Sequence, residues 1–276
     1  WNANALTPGR NVWRYHPYNA NNNVNGINGD PNGNSNGEET HTLQLVAVTQ
    51  LQDAYVRKVV DTVNDLNNVI FEISNADQLG DLAWQSHMAT LIRTYEAGKA
   101  SQHAVGITGG IGTGNTALLN SPADWLSFAA GALDNAGDPF ISNPPATDGT
   151  KISILDTDHL GYALFQNNPS ATSMWVWKSF LRGHHPILME DLQGSTGWVA
   201  GRSTMGHTRS YATRMDLAAM APRSALSTTG YCLANPGREY LVYQPASGGF
   251  SLEVVAGTYT YEWFNPTTGT VAASGT

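Results

Sequence analysis

Between residues 69 and 190, short apolar runs alternate with stretches of helical period, and this alternation restricts the fold more than any other feature. The runs at 69–73, 103–108, 124–128, 151–155 and 186–189 read as strands. Helices are expected over 49–64, with Leu51, Tyr55, Val59 and Val63 as the apolar stripe, from Trp84 to near Gly98, over 174–181 and over 204–220. Parallel strands cannot be joined by a tight turn and need a crossover, which a helix supplies. The pattern therefore predicts an α/β fold built from βαβ units. Near 222–228 it changes. Residues 231–234, 239–244, 250–255 and 258–264 read as strands joined by Gly, Pro and Asn turns, a small antiparallel β-sandwich. The expected domains are 1–224 and 225–276.

The run at 69–73 is expected to be a buried strand that delivers Ser74, Asn75 and Ala76 to its C-terminal end. In a parallel α/β sheet that end is where ligands bind. The run 151–155 likewise leads into Asp156-Thr157-Asp158-His159, and 186–189 into Glu190 and Asp191.

Charge narrows the partners. Fourteen basic against 22 acidic residues give a net charge of −8, which argues against nucleic acid and anionic membranes. No run of apolar residues is long enough to span a bilayer. A neutral polysaccharide or oligosaccharide fits better, and eight Trp and 11 Tyr offer flat faces for sugar rings. The lone Cys232 lies in an apolar run and is expected to be buried. The chain opens on Trp1 without a signal-peptide pattern, which reads as a mature secreted product or a fragment.

Residues 28–39 fit the calcium-loop pattern D-x-[DN]-x-[DN]-G-x5-E, with Asn in the first place. In that register Asn28, Asp30, Asn32, the carbonyl of Asn34 and Glu39 are the ligands of a structural calcium ion, and Gly33 makes the sharp turn. Two carboxylates imply modest affinity. The glycine-rich 109–114 has neither dinucleotide spacing nor a P-loop lysine, and no Cys/His set has zinc spacing.

Several strings together resemble one secreted family of cellulase-like clan A glycoside hydrolases. They are Asn23-Val24-Asn25-Gly26, Asn68 through Asn75, Ser121-Pro122-Ala123-Asp124-Trp125, Asp156-Thr157-Asp158-His159, Trp175 through Gly183 and Met215 through Pro222. Glu239 through Pro245 and Trp263-Phe264-Asn265-Pro266 resemble the small β domain labelled collagen-binding in that family. The resemblance implies a (β/α)8 TIM-barrel-type fold in which 69–73 is the fourth strand and the later runs are the fifth to eighth. The first three have no counterpart, so a separate segment or chain completes the barrel, the chain is part of a longer one, or closure is different.

The same resemblance assigns the chemistry. Asn-Glu closes the fourth strand in the clan and the Glu is the general acid/base; here Ala76 holds that position, which implies impaired catalysis. Asn75 takes the place of a residue that binds a sugar hydroxyl. The nucleophile position falls on Asp158, where the clan has Glu; the alternative is a polar strand-end network with His159. Asp156, His159, Glu190 and Asp191 are the expected substrate contacts. A non-catalytic extracellular carbohydrate-binding or matrix-assembly protein is the rival expectation.

Overall fold

The computed structural model of the chain describes residues 12–74, 81–109, 115–128, 142–156, 165–189 and 195–276. It is a mixed α/β structure of two compact units, Trp1–Ala129 and Ala130–Thr276.

In the first unit a loop with 3-10 turns at Trp13–Tyr15 and Glu38–His41 leads into α1 (Val46–Val63). Then follow β1 (Phe71–Glu72), α2 (Leu82–Glu96), β2 (Val105–Thr108), α3 (Asn115–Leu119) and β3 (Trp125–Ser127). The strands are parallel, with Phe71 opposite Val105, Gly106 opposite Trp125 and Thr108 opposite Ser127. Val105, Ile107 and Leu126 on one face are fully buried, and α2 packs on β2 with Met88, Ala89 and Ile92 inside. α2 starts where it does because the Asp81 side chain accepts a hydrogen bond from the Ala83 amide, an N-cap. β1 is shorter and less buried than expected. Among the described residues it pairs with β2 alone, and Ile70 just before it is 61% exposed.

The expected stripe of α1 is also rotated by one residue. Leu51 and Tyr55 are exposed, whereas Val48 and Val60 are buried with Gln52 and Val56 between them. Gln52 explains the rotation. Its amide donates to the Thr40 carbonyl at 2.7 Å and accepts from the Trp84 indole at 3.0 Å, so a polar residue occupies the packed face with both ends satisfied.

A buried ion pair closes the base of this unit. His103 Nδ1 lies 2.7 Å from Glu96 Oε1, and its Nε2 lies 2.8 Å from the Leu66 carbonyl. Both partners are acceptors, so both ring nitrogens donate and the imidazolium is favoured. The Glu96 carboxylate also accepts from the His103 amide at 2.7 Å and from Asn64 Nδ2 at 3.0 Å. The hydrogen bond to Glu96, then that to Leu66, raises the His103 pKa above its ordinary 6.5.

The second unit carries β4 (Ile152–Asp156), α4 (Pro169–Leu181), β5 (His184–Ile187) and α5 (Thr196–Ala212), with β4 and β5 parallel. α4 begins with Pro169 after Asn168, whose side chain accepts from the Ala171 amide. α5 starts eight residues before the expected 204 and ends at 212 rather than 220; its last stretch is a separate 3-10 turn, Leu217–Ala219. Gly197 masked the start. A Cβ there would stand 1.8 Å from the Phe165 carbonyl oxygen, so close approach selects a residue that reads as a helix breaker.

The antiparallel part of this unit consists of β6 (Ala221–Pro222), β7 (Cys232–Asn235) and β8 (Glu239–Val242) in one sheet, and β9 (Tyr261–Asn265) with β10 (Thr270–Gly275) in another. The run 250–255 was expected as a strand but contributes only one bridge, Ser227 to Leu252. β10 was not foreseen. Alternate residues Leu241, Tyr243 and Phe264 pack on a core of Trp177, Phe180, Leu181, Tyr211, Met220, Tyr231 and Leu233. Trp177 stacks on Tyr243 and meets Tyr211 and Phe264 at steeper angles. Beside this cluster, Glu262 Oε1 accepts from the Tyr211 hydroxyl at 2.6 Å and from Arg214 at 2.8 Å, which clasps β9 to the end of α5. Cys232 is fully buried, as expected, and burial pushes its thiol up to about 11.

Removing one partner of a buried pair strands the other, so Glu96→Ala should cost roughly 3–5 kcal/mol by denaturant titration. Because His103 is raised, its contribution is complete below pH 6.5 and is lost as pH rises through the folded value. The stability difference between wild type and His103→Gln should therefore shrink on going alkaline. Separately, Tyr211→Phe keeps the aromatic packing and deletes only a hydrogen bond to a carboxylate, and it should cost about 1.5–3 kcal/mol. Arg214, more than half exposed, should cost less when replaced.

Candidate functional site

Register places Glu72, Gly106 and Trp125 side by side, with Thr108 and Ser127 two residues further along β2 and β3. Side chains of register partners project to the same side of a sheet. These residues therefore form one face, opposite the apolar face under α2, and Thr108 and Ser127 lie at the C-terminal ends of their strands. Gly106 makes the face possible. A Cβ there would fall 1.9 Å from the Trp125 ring, so the indole lies directly over the glycine.

The face is polar and enclosed on β2 and β3, while Glu72 on β1 is exposed. Thr108, Trp125 and Ser127 are all buried. Thr108 Oγ1 donates to Glu72 Oε1 in a short hydrogen bond. Trp125 Nε1 and Ser127 Oγ are buried with no hydrogen-bond partner among the described residues. Unpaired buried donors are costly, and such atoms mark places where water or a ligand belongs. A carboxylate, two hydroxyls and an indole thus share one face of the β1–β3 sheet, with Thr108 and Ser127 at the strand ends where ligands bind in parallel sheets. Glu72 is the member open to a ligand, and the Trp125 indole, 7% exposed and laid over Gly106, serves packing rather than stacking.

Sequence reasoning missed Glu72, Thr108 and Ser127. Glu72 stood out in the sequence as the one charged residue of a short strand run, four positions before Ala76. Of the residues expected to carry chemistry, Asn75, Ala76, Asp158, His159, Glu190 and Asp191 lie outside the described residues. Asp156 ends β4 opposite Ile187 in β5.

A cleft at the other end of β4 and β5 is lined by Lys151, His184, His185, Leu217 and Met220. It sits at the strand N-termini, away from the ligand-binding end. His184 serves structure there. Its Nδ1 bonds Ser153 Oγ and its Nε2 the Pro145 carbonyl, both at 2.7 Å, and burial pushes it down to about 4. The neutral ring thus accepts from the serine and donates to the carbonyl.

A second polar surface lies on the hairpin. Tyr261 and Trp263 alternate with the inward Glu262 and Phe264 and are each 53% exposed. Their cross-strand partners are the small Gly275 and Ala273, and the Tyr261 ring lies against Gly275. Trp263 meets Phe250 edge to face at 5.7 Å. Tyr261 and Trp263, two residues apart on one strand, are separated by about 7 Å of rise, and no charged side chain of β9 or β10 shares their face.

In the 28–39 loop Asp30 and Glu39 are buried, 8% and 6% exposed. The Asn28, Asn32 and Asn34 side-chain oxygens each accept the amide two residues on. Glu38 rather than Glu39 faces the loop amides, 2.5 Å from Asn34 Nδ2 and 3.5 Å from Asn32 Nδ2. Burial pushes Glu38 up, but the amide contacts, Asn34 foremost, outweigh it and hold the carboxyl below its ordinary range. Among the described residues no group of three His, Cys, Asp or Glu side chains is placed to hold a metal. A site here must draw on amide and backbone oxygens.

No protein family matches the chain, and neither curated proteins nor solved structures offer a match.

Proposed function

We propose that this chain is a secreted glycoside hydrolase-like protein that binds a β-linked poly- or oligosaccharide at the C-terminal ends of its parallel strands. The observation that carries the reading is the face of Glu72, Thr108, Trp125 and Ser127, with its unpaired Trp125 and Ser127 donors. The finer fold in this proposal is a (β/α)8 barrel whose fourth to eighth strands are β1 to β5. A further segment or a separate chain would complete it on the open side of β1, where Ile70 is exposed.

In this reading the reaction is a two-carboxylate displacement. Asp158 is the nucleophile, and Ala76 stands where the acid/base is needed. Alanine has no proton to give, so the chain binds sugar and turns it over poorly. Asn75 orients a hydroxyl next to the attacked carbon, and Asp156, His159, Glu190 and Asp191 contact the substrate. Glu72 holds the Thr108 hydroxyl and is the positioning carboxylate beneath the site.

A second reading is a non-catalytic carbohydrate-binding or matrix-assembly protein. The exposed, uncharged Tyr261–Trp263 face favours it, because aromatic faces stack on sugar rings without any chemistry.

The test is Ala76→Glu, assayed for reducing-end release on β-glucan, xylan, mannan and galactan. Proton donation is worth ~10²–10⁴-fold, so activity should rise by that order, and Asp158→Asn in the same background should remove it. Glu72→Gln should raise KM more than it lowers kcat. An Ala76→Glu variant that stays inactive on every glycan overturns the hydrolase reading. Saturable oligosaccharide binding by that inactive variant would move the assignment to the second reading.

A further inference from the structure

The loop that precedes α1 carries buried acidic oxygens without hydrogen-bond partners among the described residues. Asp30 is 8% exposed, and its Oδ2 accepts the Ser35 amide at 3.0 Å, which turns the carboxylate inward across the loop. Its other oxygen, Oδ1, is buried with no hydrogen-bond partner among the described residues, and so are Glu38 Oε2 and Glu39 Oε2. The side chains of Asn32 and Asn34 reach Glu38 Oε1 from the same side. A buried carboxylate oxygen facing no donor is costly unless a cation completes it.

The backbone supplies the register. In a calcium loop the first ligand is followed by ligands at positions three and five, a sharp turn at six and a carbonyl at seven. Positive φ falls at Gly33 (71°), the sixth position of the motif read from sequence, and at Ser35 (65°), the alternative sixth position that puts an Asp rather than an Asn first. Counting Ser35 as position six makes Asp30 the first ligand, Asn32 the third, Asn34 the fifth and the Asn36 carbonyl the seventh, with Glu38 ninth. The motif read from sequence began at Asn28 and ended at Glu39. The alternative register lies two residues along, with Glu38, the carboxylate that the loop amides reach, at its ninth position and Glu39 at its tenth. The twelfth position becomes His41, which stacks on Trp84 at 5.1 Å and leaves no bidentate Glu.

We propose that Asp30, Asn32, Asn34 and Glu38, with the Asn36 carbonyl, form a structural calcium site in this shifted register. Each amide oxygen has a second lone pair beyond the one its turn uses, so the asparagines can ligate without losing their turns. With two carboxylates and no bidentate one, the site belongs to the weak class, with Kd of order 10⁻⁴–10⁻³ M. Its place in the fold suggests its use. Thr40 at the loop's end receives the Gln52 amide, and the His41 carbonyl receives the Asp81 amide at the cap of α2. A cation in the loop would stiffen the entry to α2, the helix that covers the apolar side of the β1–β3 sheet. The proposal does not rest on the glycosidase reading and would stand if Ala76→Glu proved inactive.

The test uses the full chain stripped with a chelator. Trp13 packs on the loop at Gly29 and Gly37 and can pass excitation to bound terbium. Wild type should show tryptophan-sensitised terbium emission that calcium chloride displaces, and a melting temperature higher by about 3–6 °C at ten times Kd. Asp30→Asn, which keeps an oxygen for Ser35, and Glu38→Gln should each weaken terbium and calcium at least tenfold. Glu39→Gln should leave the titration unchanged. Melting each variant in chelator separates lost binding from lost folding. Absence of emission and of any calcium shift in wild type overturns the site. Binding that survives both Asp30→Asn and Glu38→Gln, or that is lost only in Glu39→Gln, overturns the register.

Discussion

A parallel strand leaves its sheet with no hairpin to hold it, so everything in the first unit depends on what covers β2. On one side α2 does so with Met88 and Ile92. On the other, Trp125 lies across Gly106, a contact that tolerates no side chain on the glycine. This single packing choice has two effects. It places a large indole on the face that carries Glu72 and Thr108, and it brings β2 and β3 into the register that aligns Thr108 with Ser127 at their ends. The structural need to pack a sheet and the chemical need to gather polar groups are met by the same pair of residues.

The two ends of these strands are used differently. At the N-terminal ends, polar groups are paired to completion: His103 with Glu96 and Leu66, and His184 with Ser153 and Pro145. One ring is favoured charged and the other neutral, and in both cases every nitrogen is committed. At the C-terminal end of β3 the Ser127 hydroxyl is left without a partner among the described residues.

Much of this was legible in the chain. The five parallel strands and the helices between them follow from apolar spacing, and Asp81 and Asn168 announce two helix starts. What escaped did so for local reasons. Gln52 hides in the packed face of α1 because its two hydrogen bonds lie in other elements, Thr40 and Trp84, which periodicity cannot see. Gly197 sits inside α5 because another backbone presses on it. The 28–39 motif was read from its spacing, and what the proposed register adds is the positive φ at Ser35, which a serine does not announce. Glu72 was passed over because strand patterning sorts residues by hydrophobicity and not by what a neighbouring strand offers them.

The buried Cys232 has a consequence of its own. A chain with one thiol has no internal partner, so in an oxidising medium its sulfur could form only a bond between molecules. Enclosed among Tyr231, Leu233 and Ala234 and held far from its thiolate form, it is kept silent while the β7 core stays shut. The thiol is therefore a built-in reporter. Its rate of alkylation counts how often the antiparallel half of the molecule opens, and each opening is also the moment at which two copies can become covalently joined.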